Sequence, residues 1–191
     1  MAPSTAARPE AVAPARDTVP DGANLETLAG KYSPVVKVDE FDKSRSTMLQ
    51  IGQWYIGGKR AQRLDTKCSN GEGEIDMLRL EKIELNGNVV YAVYVGYFGS
   101  TWIFVDDSPL EILADTAVID LKPLFAPKRE VSGGSVSESD SYEETPDGLR
   151  ALATAHAIKS RISGKNGSCT SVWKPATIAG LRQFVAHEVP R

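Results

Sequence analysis

Residues 99–115 read GSTWIFVDDSPLEILAD: two aromatics, a doubled aspartate, a Ser-Pro turn, then two more acids. Clustered carboxylates can hold a divalent cation or divide the work of general acid and base, so Asp106, Asp107, Glu111 and Asp115 are weighed first. The pattern around them argues for something plainer. If TWIFV is a strand, Trp102 and Phe104 share one face and Ile103 and Val105 the other, which leaves Asp106, Asp107, Ser108 and Pro109 in a turn. In the next run Leu110, Ile112 and Ala114 alternate with Glu111, Leu113 and Asp115. Asp115 then falls near the opposite end of the hairpin, about 17–20 Å away at strand rise. The spacing predicts a hairpin end, not a cluster.

Other chemistries fare no better. DEFDKSRS offers Asp39, Asp42 and Ser44, but lacks the alternation and the glycine that a calcium loop requires. The two histidines, His156 and His187, are far apart in sequence. There is no G-x-S-x-G turn to expose a serine, and SGGSVS lacks the flanking glycine. SGKNGS has the letters of a phosphate-binding loop without its spacing. Two cysteines are too few for a cysteine zinc site, and a His-carboxylate site needs both histidines to converge. The sequence therefore points to no catalytic residue, no metal ligand and no cofactor.

Composition narrows the class. The chain has 191 residues, 41% hydrophobic and 25% charged, which suits one domain plus a tail. A formal net charge of −3 argues against nucleic acid as a partner, because phosphate binding needs concentrated Lys and Arg. The one basic cluster, Lys59, Arg60, Arg63 and Lys67, lacks interleaved aromatics and reads as a solvated loop or edge strand. No apolar run approaches the length that spans a bilayer, so the chain reads as soluble. Residues 1–24 are rich in Ala and Pro without apolar periodicity and read as a flexible tether, with the domain over residues 25–191. The tether has no apolar centre and is not an intact signal peptide. Its composition is that of the linker that follows a lipidated cysteine, with Met1 standing where that cysteine would be.

These residues have to be positioned by a β-rich body. KYSPVVKV opens a first strand, and TMLQIGQWYIGG alternates as a strand with two usable faces. IDMLRLEKIELNGNVVYAVYVGYFG is a hairpin about Asn86-Gly87, setting Leu78, Leu80, Ile83 and Leu85 against Val89, Tyr91, Val93, Val95 and Tyr97. TWIFV, LEILA and AVIDL follow as short strands. APKREVSGGSVSESDSYEE, Ser-rich and acidic, reads as a long exposed hairpin or loop. Thr145 caps a helix with Pro146 first and Asp147 in its opening turn, and IKSRISG after it is a strand. KPATIAGLRQFVAHEV starts a last helix at Pro175, with Ile178, Leu181 and Val185 as its buried stripe. The fold expected is α+β: an antiparallel, strongly twisted sheet or sandwich with two C-terminal helices.

From YFGSTWIFVDD through LEILADTAVIDL and KREVSGGSVSES to LRALATAHAIKSRISGK, over roughly residues 90–165, the order resembles that of uncharacterised bacterial secreted proteins and lipoproteins. VDEFDKSRST resembles their early acidic turn. The resemblance implies a periplasmic or surface-attached β-rich domain and brings no catalytic residues. The chain departs from that pattern by its cysteines. Cys68 and Cys169, an even pair in an extracytoplasmic chain, are expected to form a disulfide. CSNGEGE and KNGSCTS read as loops, so neither cysteine is expected in the core.

The function that follows is a non-catalytic extracytoplasmic binding or interaction domain, membrane-associated only through an N-terminal anchor. Its expected partner is a protein or another envelope component, met on an aromatic surface around Trp54, Tyr55 or Tyr97. An immunity or inhibitor protein against a secreted toxin, and a hydrolase acting on envelope material, are the alternatives.

Overall fold

The computed structural model describes residues 18–19, 21–52, 54–56, 59–61, 63–71, 73–105 and 108–191, with the backbone alone for 54–56 and 59–61. Its spine is the long hairpin of β6 (Gly73–Leu85) and β7 (Asn88–Gly99). Asn86 and Gly87 both take positive φ, 51° and 81°, as a tight primed turn requires. Leu78 pairs with Val95 and Leu80 with Val93, and these four side chains are buried together. A bulge between Ile75 and Met77 shifts the register near the far end. Ile83 does not join Leu80 on the inner face, and Leu85 is exposed. A strict two-residue period sends 80 and 83 to opposite sides.

Around this spine, among the described residues, run α1 (Leu25–Ala29), β1 (Val35–Asp39), β2 (Ser44–Gln50), β3 (Trp54–Ile56), β4 (Lys59–Ala61) and β5 (Leu64–Cys68) before the hairpin. After it come β8 (Leu110–Ala114), β9 (Ala117–Pro123), β10 (Lys128–Ser132), β11 (Ser135–Glu144), α2 (Pro146–Thr154), β12 (Ile158–Gly164), β13 (Gly167–Trp173) and α3 (Pro175–Glu188). One sheet runs β1-β2-β6-β7-β11-β9-β8-β12-β13-β5, with β10 added to β11, and β3–β4 pair separately. Every pairing described is antiparallel. The end strand β5 packs back against β6, so the sheet curls upon itself. The molecule is α+β and sheet-rich.

Both expected helices are present, and α1 is a third. Thr145 caps α2 by accepting the Gly148 N–H at 3.0 Å, and Leu149 and Leu152 are buried. The helix stops at Thr154, before His156. In α3, Ile178, Leu181 and Phe184 are fully buried, and α1, α2, β6 and β13 all pack against this helix. Gly180 lets it approach Ile51; a Cβ there would stand 2.8 Å from the Ile51 Cγ2. Asn24 caps α1 through the Thr27 N–H at 3.1 Å.

Four local expectations change. The strand from Thr47 breaks after Gln50, where the amides of Ile51 and Gly52 both donate to the Leu78 carbonyl at 2.9 Å. TWIFV is not a strand: Phe104 has φ of 53°, and only Val105 makes a bridge, to Gly164. Val19 is fully buried and donates to the His156 carbonyl at 3.2 Å, so packing against the domain begins upstream of Leu25. Residues 1–17 lie outside the described residues.

The fourth change concerns the cysteines. Cys68 and Cys169 are direct cross-strand partners in β5 and β13 and are joined by a disulfide, with Cα atoms 4.0 Å apart. Cys169 is 1% exposed and belongs to the core. Ser69 and Asn70 turn directly after Cys68, whereas Gly167 and Ser168 are already strand residues of β13, so each cysteine sits in a strand beside a turn rather than in a loop. Closing a loop of separation 101 contributes about 4–5 kcal/mol in the chain-entropy model.

Candidate functional site

β11 carries an inverted pattern. In SVSESDSYEE, Val136, Glu138, Asp140, Tyr142 and Glu144 are buried, while Ser135, Ser137, Ser139 and Ser141 face the other way and are half-buried. The acids point in and the serines out. The outer serine row, with the outward residues of β6 and β7, walls a groove of about 490 Å³ lined by Arg79, Glu81, Tyr94, Phe125, Lys128, Ser139 and Ser141. A second hollow of about 330 Å³ continues it past Tyr94, Lys128 and Ser139 to Asp76, Glu130 and Ser137.

At its centre the Arg79 guanidinium lies 4.2 Å over the Tyr94 ring. One terminal nitrogen is 3.4 Å from Glu81 Oε2, and Glu81 Oε1 accepts the Ser46 hydroxyl. Arg79 Nε is buried and has no hydrogen-bond partner among the described residues. The guanidinium is therefore held in place by stacking and by one carboxylate. Lys128 is exposed, and among the described residues nothing hydrogen-bonds the Ser137, Ser139 or Ser141 hydroxyls.

The buried side of the same strand explains the segment before Asp106. Glu138 accepts the amides of Ile103 at 2.7 Å, Phe104 at 2.9 Å and Val105 at 2.7 Å. Three successive backbone donors converge on one carboxylate because Phe104 turns left-handed, a conformation that costs a bulky residue about 1–3 kcal/mol. Arg129 reaches Glu138 Oε2 at 3.4 Å and donates to the Val105 carbonyl. Carbonyls 103 and 104 accept the amides of Asn166 and Lys165. Gly164 admits this close approach, since a Cβ there would meet the Ile103 oxygen at 2.3 Å.

The acids singled out in the sequence do not assemble. Asp106 and Asp107 lie outside the described residues. Asp115 sits in the β8–β9 turn and accepts the amides of His156 and Ala157, so it fastens that turn to the start of β12. These bonds, the one from Ala157 first, hold its carboxyl below the usual range. Glu111 pairs with Arg161 at 2.5 Å. Asp39 and Asp42 accept the amides of Phe41 and Ser44 within the β1–β2 turn. His156 approaches Asp21 and Asp115, whereas His187 stacks on Tyr32 at 4.2 Å. No group of three or more His, Cys, Asp or Glu among the described residues could hold a metal ion.

The aromatic surface needs revision. Tyr97 is fully buried, its hydroxyl donating to the Thr101 carbonyl at 2.7 Å and its ring filling the space beside Gly73. Its even-spaced neighbours Val93 and Val95 face inward, and the period carries Tyr97 with them. Trp54 and Tyr55 fall in β3, where the side chains lie outside the described residues. The groove residues Arg79, Tyr94, Lys128 and Ser139 were missed. The available signal was the serine at every second position of β11, which marks a polar face on a central strand. Compared with known proteins, the chain matches no family model, and it has no significant match among curated proteins or solved structures.

Proposed function

We propose that this chain is a non-catalytic extracytoplasmic binding domain that engages an envelope component through the outer groove of β6, β7 and β11. The observation that carries the reading is Arg79, fixed between Tyr94 and Glu81 inside an open groove whose far wall is a row of serine hydroxyls. A side chain ordered before any ligand arrives loses little entropy on binding, which is what a recognition surface requires. The disulfide between Cys68 and Cys169 supports an oxidising compartment, periplasmic or cell-surface, because such bonds persist there and are rare in the cytosol.

The test is capture from envelope extract by immobilised protein, run beside Ser139→Trp, which fills the groove. Retention of an extract component by the wild type and its loss in the variant is the expected result. Equal retention by both proteins places binding elsewhere and defeats the proposal. Thiol titration of the denatured, unreduced protein from its native host tests the compartment: no reactive thiol is expected, and two would remove it.

A further inference from the structure

We infer that the ligand of this groove is a neutral oligosaccharide, an assignment that rests on the binding-domain reading above. Charge comes first. Arg79 and Lys128 face Asp76, Glu81 and Glu130, two cations against three carboxylates, while the side chains of Glu138 and Asp140 are buried on the other side of β11 and do not count. An anionic ligand meets an excess of carboxylates, and a cationic one meets a guanidinium and an ammonium. The lining suits a molecule without net charge that both donates and accepts hydrogen bonds.

Sugar hydroxyls do both. Ser137, Ser139 and Ser141 repeat every second residue, about 7 Å apart along about 14 Å of strand, and each hydroxyl can donate or accept. Arg79 supplies donors beside the acceptors of Glu81, so adjacent hydroxyls on one ring find complementary partners. Phe125, 61% exposed, supplies apolar area for the C–H face of a pyranose beside the Arg79–Tyr94 stack. A peptide fits less well. β7 is paired on both sides, by β6 and by β11, so its backbone offers no free edge for strand addition under the groove. Recognition must come through side chains, and most of those are hydroxyl or charged.

The experiment uses the full chain on an array of neutral and acidic oligosaccharides. Calorimetry and amide chemical-shift mapping follow with the tetramers of β-1,4-linked glucose, β-1,4-linked N-acetylglucosamine and α-1,4-linked galacturonate. At least one neutral glycan should bind, with shifts centred on Tyr94, Ser137, Ser139 and Ser141. Tyr94→Ala and Ser139→Trp, each verified as folded by circular dichroism, should weaken it at least tenfold. Shift mapping on the wild type decides the matter even if both variants misfold. Binding confined to acidic glycans, no glycan binding at all, or shifts elsewhere on the molecule overturn the assignment. If a groove-dependent protein is captured from extract while no neutral glycan binds, the ligand class is wrong and the binding-domain reading stands; if neither occurs, both fall.

Discussion

In the β8–β9 turn, Asp115 collects the amides of His156 and Ala157 with a side chain 45% exposed. In β11, Glu138 collects those of Ile103, Phe104 and Val105 with a side chain that is fully buried. Each carboxylate fastens a remote stretch of irregular backbone to the sheet. They differ in what replaces them when they are removed. Water can reach the amides that Asp115 holds, so its loss exchanges one partner for another. Ile103 and Val105 are fully buried, out of reach of solvent, so loss of Glu138 leaves their amides orphaned. Depth, not the number of bonds, sets the cost.

The largest effect expected from that comparison is at Glu138. Glu138→Leu removes a buried charge and three charge-assisted bonds at once, which should cost about 3–5 kcal/mol. Urea denaturation measures it. A loss below about 1 kcal/mol would show that the segment holds its left-handed turn unaided and that the clamp is incidental. The release should also be local: amide hydrogen exchange at 103–105 should quicken more than exchange in the β6–β7 ladder.

Asp115→Ala should cost about 1 kcal/mol, because the same kind of bond is made near solvent and is weakened by it. Its pH dependence gives a second handle. Asp115 titrates lower in the folded chain than in the unfolded one, so its contribution is present above the unfolded value and is lost as pH falls through the folded one. The stability gap between wild type and variant should therefore be constant near neutrality and close in acid below about pH 4. A gap that persists unchanged at pH 2 would mean that Asp115 acts through packing, and the parallel with Glu138 would fail.

How far the sequence reveals these arrangements depends on range. Asn86-Gly87 and Thr145-Pro146-Asp147 declare themselves because the turn and the cap are made by the residues that signal them. Leu110, Ile112 and Ala114 face inward as alternation requires. TWIFV reads as a strand on propensity, yet the strand is overridden by Glu138, 34 residues beyond Phe104 in sequence. Tyr97, by contrast, alternates with Val93 and Val95, so its inward side is legible from the period alone. The groove is illegible for the same reason as TWIFV. Arg79, Tyr94 and Ser139 come from three strands, and only the pairing of β11 with β7 brings the serine row beside the aromatic ring. Local chemistry is written locally; a site built across strands is written in the register.

Glu144 supplies the third and smallest comparison, a buried carboxylate with too few donors. It closes β11, with Oε1 accepting the Thr145 amide at 2.6 Å and hydroxyl at 3.2 Å, while Oε2 is buried with no hydrogen-bond partner among the described residues. Burial raises its pKa, and the two Thr145 bonds offset that only in part. A carboxyl raised on folding stabilises the native state below its unfolded pKa, and that stabilisation is lost as pH rises through the folded value. At neutral pH, then, Glu144 is a modest burden where Glu138 is a support. Glu144→Gln keeps an oxygen for Thr145 and removes the charge, so it should stabilise the protein by about 0.5 kcal/mol at pH 7. The gain should vanish below about pH 4, where the wild-type side chain is itself neutral in both states. Paired urea titrations of wild type and variant at pH 7 and pH 3.5 measure the difference. A destabilised variant at pH 7 would mean that the Glu144 carboxylate is supported as fully as Glu138, and the supply of donors would no longer separate the two buried glutamates of β11.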